Sequence, residues 1–234
     1  MFYIRKASAR GQADHGWLKS AHTFSFGSYH DPAFSGFGPL RVINDDRVAP
    51  GQGFGTHGHS NMEIISYVLD GALAHKDSMG FGSTLKPGFV QRLSAGTGIT
   101  HSEFNASAED PVHFLQIWIV PDAENVEPRY DEKDFSFELL TGEFHLAASK
   151  AGRDGSLAIH QDLDMLIAGL RTGAKTIYPC SNGRQQWVHL ATGSVKLKDK
   201  VLKAGDGVAV KQEQSLEFEA LADSEVLIFD MPEI

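Results

Sequence analysis

No long stretch of this chain sustains a helical period. Its apolar segments are six to nine residues long and end at turn-forming residues: LRVIND (40–45), EIISYVLDG (63–71), HFLQIWIVP (113–121), QQWVHLATG (185–193) and SEVLIFDMP (224–232). Segments of this length, rich in Val, Ile, Phe and Trp and bounded by Gly, Pro, Asn or Asp, are strands. One segment, HQDLDMLIAGLR (160–171), reads either as a short helix or as a pair of strands. The class that follows is all-β, a sandwich or barrel with Greek-key-like connections.

At 234 residues the chain has room for one large β domain or two smaller ones. An internal repeat favours two. SYVLDGAL (66–73) parallels VHLATGSV (188–195), and LSAGTGITHSEF (93–104) parallels LKAGDGVAVKQE (202–213). The polar stretch 121–137 between them carries two prolines, the composition of a connection. The expected organisation is an N-terminal metal-binding domain over 1–125, a linker over 126–140, and a C-terminal domain without metal ligands over 141–234.

Composition excludes several classes of function. A formal charge of −9 with no basic stripe argues against nucleic-acid binding. No apolar run reaches the length of a membrane span, and MFYIRKASARGQ has no secretory apolar core, so a cytoplasmic protein is expected. The single cysteine, Cys180, rules out an internal disulfide framework and reads as a packing residue.

The chemistry concentrates in two short motifs. Residues i and i+2 of a strand face the same way, so His57-Gly-His59 offers two imidazoles to one side, and His101-Ser-Glu103 an imidazole and a carboxylate. Three neutral nitrogens and one carboxylate oxygen suit a first-row divalent metal and leave positions open to other ligands. The repeat sharpens this reading. Its alignment sets Pro179, Ser181 and Gln185 against His57, His59 and Glu63, and Val210 and Gln212 against His101 and Glu103, so no candidate ligand recurs. By period two, Glu63 continues the His57/His59 face as a competing ligand, a group bonded to a ligand imidazole, or a proton acceptor. The remaining histidines, among them His15, His22, His30, His75, His113, His145, His160 and His189, read as structural or surface groups.

At these residues the chain resembles the pirin family of the cupin superfamily and its bacterial quercetinase-like members. The resemblance runs through HGWLKSAHTFSFGSYHDP (15–32), FGPLRVINDDRVAPGQGFGTHGHSNMEIISYVLDG (37–71), HKDSMG (75–80) and VQRLSAGTGITHSEFN (90–105), and continues in LQIWIVP (115–121) and PRY (128–130). Relative to cupins in general, Glu63 stands one residue early and Gly96 replaces a common proline. Pirins share both departures and resemble this chain in a His-Ser-Glu carboxylate ligand. The resemblance therefore implies a bicupin of two jelly-roll-like barrels, with His57, His59, His101 and Glu103 on the metal and Glu63 outside the coordination sphere. It further implies iron(II) first, with manganese, cobalt, nickel, copper or zinc compatible. The implied activity is quercetin (flavonol) 2,3-dioxygenation, in which Glu103 or Glu63 takes the 3-hydroxyl proton and carbon monoxide leaves. Phe24, Phe26, Phe54 and Phe114 are candidates for the apolar half of the pocket, though each also reads as core. The competing expectations are a non-enzymatic, metal- or redox-dependent regulatory protein acting through a protein partner, and a cupin reaction on a small acid or sugar.

Overall fold

Each of the five apolar segments forms a strand in the computed structural model, which describes residues 2–233. The two-way reading of 160–171 resolves to a strand, Asp164–Leu170. Among the described residues, helix is confined to four single turns of 3-10 type, and no helix is long and apolar enough to cross a membrane.

The chain divides into two units. One runs from Gly11 to Asp134 and adds Ile159–Gln161; the other comprises the residues before Gly11, Phe135–Ala158, and the chain from Asp162 onward. The first strand, β1 (Phe2–Arg5), belongs to the second unit. The first unit holds β2 (Gly11–Asp14), β3 (Leu18–His22), β4 (Leu40–Val48), β5 (Gly53–His59), β6 (Glu63–Asp70), β7 (Leu73–Asp77), β8 (Gly82–Leu85), β9 (Phe89–Ser94), β10 (Ile99–Asn105), β11 (Val112–Ile119) and β12 (Arg129–Asp134). The second unit continues with β13 (His145–Lys150), β14 (Leu157–Ile159, of which Ile159 falls with the first unit), β15 (Asp164–Leu170), β16 (Lys175–Pro179), β17 (Arg184–Thr192), β18 (Ser194–Leu197), β19 (Lys200–Lys203), β20 (Gly207–Lys211), β21 (Ser215–Ala220) and β22 (Ser224–Pro232).

Each unit pairs a seven-stranded sheet with a four-stranded one. The orders are β12-β9-β6-β11-β4-β3-β2 and β5-β10-β7-β8 in the first unit, and β1-β20-β17-β22-β15-β13-β14 and β16-β21-β18-β19 in the second. They correspond position for position, so the all-β fold with two barrels stands as expected. In the first unit, Leu73 and Leu85 of the smaller sheet pack against Val48, Val68, Val112 and Phe114 of the larger one. Burial of such side chains contributes about 1.5–3 kcal/mol each.

The repeat is real, but its expected register is corrected. Ala204-Gly-Asp-Gly207 leads into β20, the counterpart of β9, whereas Ala95-Gly-Thr-Gly98 leads into β10. The counterpart of β10 is β21. His101 pairs with His57, and Leu216 with Tyr178; Glu103 pairs with His75, and Phe218 with Leu197. The positions equivalent to His57, His59, His101 and Glu103 are therefore Tyr178, Cys180, Leu216 and Phe218. For His57 and His59 the cause is a turn: four positions separate His59 from Glu63, but five separate Cys180 from Gln185. A one-residue slip of that kind moves every side chain to the other face.

The segment expected as a linker over 126–140 contains β12, whose Arg129–Asp134 pair along β9 from Ser94 to Phe89. Its mixed charges sit on a sheet edge, where they discourage further pairing. Loop geometry is equally specific at Gly96, with φ +47°. A Cβ there would lie 2.0 Å from the Val126 carbonyl oxygen.

Candidate metal centre

The ladder of the four-stranded sheet brings the predicted residues to one face. Directly paired residues share a side, so His57 and His101 face together, as do Glu103 and His75 on the neighbouring rung. The ring centroids of His57, His59 and His101 form a near-equilateral triangle of 4.8, 4.5 and 5.0 Å. One ring nitrogen from each lies within 4.8 Å of the others, and Glu103 forms a second such group with His101 and His75. A bulge between His101 and Glu103 gives β5 one extra residue against β10. Close approach there requires Gly53, since a Cβ would stand 2.3 Å from the Glu103 carbonyl oxygen.

The environment suits neutral nitrogen ligands. Burial, with some help from His57, lowers the His59 pKa to about 4. Burial and the neighbouring His57, His59 and His75 lower that of His101 to about 3. His57 Nδ1 lies 2.8 Å from the Gly55 carbonyl oxygen, so this nitrogen carries the proton and Nε2 presents its lone pair. His101 is 1% exposed and neither ring nitrogen has a hydrogen-bond partner. An unpaired buried polar group costs about 1–3 kcal/mol, and a coordinated cation removes that cost. Glu103, 2% exposed, accepts Ser66 Oγ–H at 2.8 Å and Gln116 Nε2–H at 2.7 Å. Burial still raises its pKa against those bonds and against His75 and His57. A three-nitrogen, one-carboxylate donor set of this kind fits a single divalent metal.

The cluster opens into a cavity of about 670 Å³, within the roughly 300–1,000 Å³ range of small-molecule sites. Its aromatic wall is interlocked: Trp17 meets Phe54 edge-on at 5.3 Å, Phe26 meets Trp118 at 5.5 Å, and Trp118 meets His59 at 5.0 Å. Ser20, His22, Asn44, Asp46 and Gln116 supply a polar wall from β3, β4 and β11. Of the four phenylalanines considered from sequence, Phe26 and Phe54 line the cavity, whereas Phe24 and Phe114 are core at 1% and 0% exposure.

Comparison with known proteins agrees with this geometry. The family model described as Pirin matches residues 3–119, and that described as Quercetinase C-terminal cupin domain matches 146–231. The chain belongs to the pirin family. A quercetin 2,3-dioxygenase of Escherichia coli (strain K12) is 44% identical over 234 residues, covering 100% of both chains. A putative quercetin 2,3-dioxygenase of Pseudomonas aeruginosa is 43% identical, covering 94% of this chain and 95% of its own. The bacterial pirin YhhW of Escherichia coli, crystallised in complex with nickel(II), superposes with a TM-score of 0.94 at 44% identity and full coverage of both chains.

In this pirin Glu63 lies apart from the cluster. The strand β5 ends at His59, and Glu63 opens β6 in the other sheet, so the face it was expected to continue does not extend to it. Ile64 and Ser66 point toward the cavity and Glu103, and alternation turns Glu63 to the opposite side. There it accepts Ser94 Oγ–H at 2.7 Å and His160 Nδ1–H at 2.8 Å. His160, read from sequence as a structural or surface group, bonds a carboxylate on a strand 97 residues away.

Several residues at or near the site went unrecognised in the sequence. His15 and His22 line the cavity, and His75 is buried beside His101, at 5.4 Å between ring centroids. For Asn44 and Asp46 the signal was present: within LRVINDDRV they alternate with Val42 and Val48 on one face of a buried strand. Burial, Asp45 and Glu103 raise the Asp46 pKa to about 7 against a Ser20 hydrogen bond.

Proposed function

We propose that this pirin is a metal-dependent oxidoreductase of the quercetin 2,3-dioxygenase type, acting on a flavonol-like planar phenol with O2 and releasing carbon monoxide. The observation that carries the reading is the triangle of neutral imidazoles facing an aromatic-walled cavity of about 670 Å³. The ligands are His57, His59, His101 and Glu103. Iron(II) is the first metal to test, and manganese, cobalt, nickel, copper and zinc are compatible with the same donors. When bound, such a metal would supply Lewis-acid stabilisation of a phenolate oxygen, and a redox-active one also an electron path to O2.

The chain's own residues do the rest. Trp17, Phe26, Phe54 and Trp118 offer flat apolar surface to a planar ring system and restrict water around it. Glu103, its orientation fixed by Ser66 and Gln116, takes the proton of the acidic hydroxyl. Glu63, held on the other face by Ser94 and His160, takes no part in proton transfer. The protein acts in the cytoplasm.

The test combines metal analysis of the purified protein with quercetin turnover and carbon monoxide detection, comparing wild type with His101→Ala and Glu103→Ala. Loss of metal and turnover in both variants is expected. Full metal retention in both refutes the ligand assignment, and no turnover with any of the six metals refutes the reaction.

A further inference from the structure

Strand β7 places His75 and Asp77 on the inner face, two residues apart and paired across to Glu103 and His101 of β10. Both side chains are fully buried, and His75 Nε2 lies 3.1 Å from Asp77 Oδ2. The carboxylate is itself anchored, because Asp77 Oδ1 accepts the backbone N–H groups of Met79 at 2.9 Å and Phe81 at 3.1 Å. The Tyr130 ring stacks on His75 at 4.7 Å, with its hydroxyl bonded to Ser83 and Glu132. Orientation of this imidazole is thus set from several sides.

With Nε2–H directed at a carboxylate, Nδ1 is the His75 nitrogen left to accept, and that atom has no partner. His101 stands beside it with both nitrogens unpartnered. An imidazole that gives one nitrogen to a metal carries N–H on the other, and that N–H calls for an acceptor. Glu103 is proposed as a ligand and also accepts from Ser66 and Gln116, whereas His75 Nδ1 beside His101 has no partner and is free to accept.

We infer that Asp77 and His75 form a positioning relay for the metal ligand His101: Asp77 fixes the tautomer of His75, and His75 Nδ1 accepts the second N–H of His101, fixing its tautomer and rotation. The inference rests on His101 being a ligand, as proposed above.

The experiment measures nickel(II) affinity by chelator competition, together with the nickel d–d spectrum and X-ray absorption, on folded full-length protein. His75→Phe keeps the stacked ring and removes the acceptor. Asp77→Asn acts more subtly. Its oxygen stays with the Met79 and Phe81 amides, so its NH2 faces His75 Nε2 and forces the proton onto Nδ1, where His101 needs an acceptor. Both variants are expected to weaken nickel binding by about 10–100-fold and to shift the spectrum, with the count of imidazole ligands unchanged. His75→Gln, which keeps an acceptor oxygen, should recover most of the affinity. Wild-type affinity and spectrum in His75→Phe and Asp77→Asn would overturn the relay, as would loss of one imidazole ligand in His75→Phe, which makes His75 a ligand itself. His101→Ala is run alongside. If that variant keeps wild-type affinity, the ligand assignment has failed first, which is distinguishable from failure of the relay alone.

Discussion

Glu63 is the most conspicuous acid beside the His-x-His motif, yet its side chain is tied to His160 and Ser94, and Glu63→Gln tests that placement. The carboxylate is 1% exposed and accepts Ser94 Oγ–H at 2.7 Å, His160 Nδ1–H at 2.8 Å and the His160 backbone N–H at 3.4 Å. Glutamine keeps one acceptor oxygen and presents an NH2 to the other side. Ser94 Oγ can accept from it, but a ring N–H of His160 cannot. With the NH2 toward Ser94 and the oxygen toward His160 both contacts survive as neutral bonds, but the charge assistance and the acceptor of the Ser94 hydroxyl are lost, at roughly 1.5–3 kcal/mol. The His160 side chain is 33% exposed, so solvent replaces part of its loss. Arg92, nearly buried with a side chain 4% exposed, also loses a compensating negative charge. The expected sum is about 2 kcal/mol, or about 4–8 °C in Tm for a chain of this size. Metal content and nickel affinity should stay at wild-type levels. Thermal denaturation followed by metal analysis of the same preparations decides it. A variant that loses metal, and whose Tm in chelator equals that of metal-free wild type, would refute the reasoning and return Glu63 to the metal.

Chelation of the metal-loaded protein should lower Tm, since a ligand held at 1,000 times its Kd stabilises the folded state by about 4 kcal/mol; calorimetry should find this response missing in Glu103→Ala. Asp46→Asn should raise stability progressively with pH in the metal-free protein. The folded carboxyl pKa is about 7 against an ordinary 3.8, so the wild type loses stability as pH rises through that window and the amide does not. At 1.36 kcal/mol per unit the gap approaches about 4 kcal/mol above pH 7 as an upper bound, and urea titrations at pH 4, 6 and 8 read it. Gly96→Ala places a Cβ 2.0 Å from the Val126 carbonyl oxygen at φ +47°. It should destabilise by about 1–3 kcal/mol, again measured in urea, because the neighbouring atom is backbone and cannot rotate away.

What could be read in the sequence was whatever depends on local period. Strand identity followed from short apolar runs. The inward pairs His57/His59 and His101/Glu103 followed from the two-residue repeat, because their strands lie side by side in one sheet. Reading failed where a turn intervened. The left-handed Asn61, φ +47°, sits between β5 and β6 and sends Glu63 into another sheet, a change of direction that period counting carries straight through. His75 and His160 were missed for a different reason. Their partners are close in space through ladder pairing or across 97 residues of chain, and no spacing rule reaches either.

The second unit explains why so few residues decide whether this fold holds a metal. It repeats the strand order of the first, with Tyr178, Cys180, Leu216 and Phe218 at the positions of His57, His59, His101 and Glu103. There Leu197, Leu216 and Phe218 are buried together with Val195, Leu202 and Ala220, and Tyr178 and Cys180 pack against them. The barrel interior is thus filled by the side chains that stand at the positions of the proposed ligands, and Cys180 is held protonated with its pKa near 11 by burial and by the charges of Asp230 and Glu213. An apolar interior stabilises a barrel through the area it removes from water. An interior of four donors leaves polar atoms to be satisfied and stabilises it only once a cation arrives. The orphaned nitrogens of His101 are therefore informative. In one half of a duplicated fold these positions follow packing, and in the other they sacrifice packing for donors that only a ligand completes.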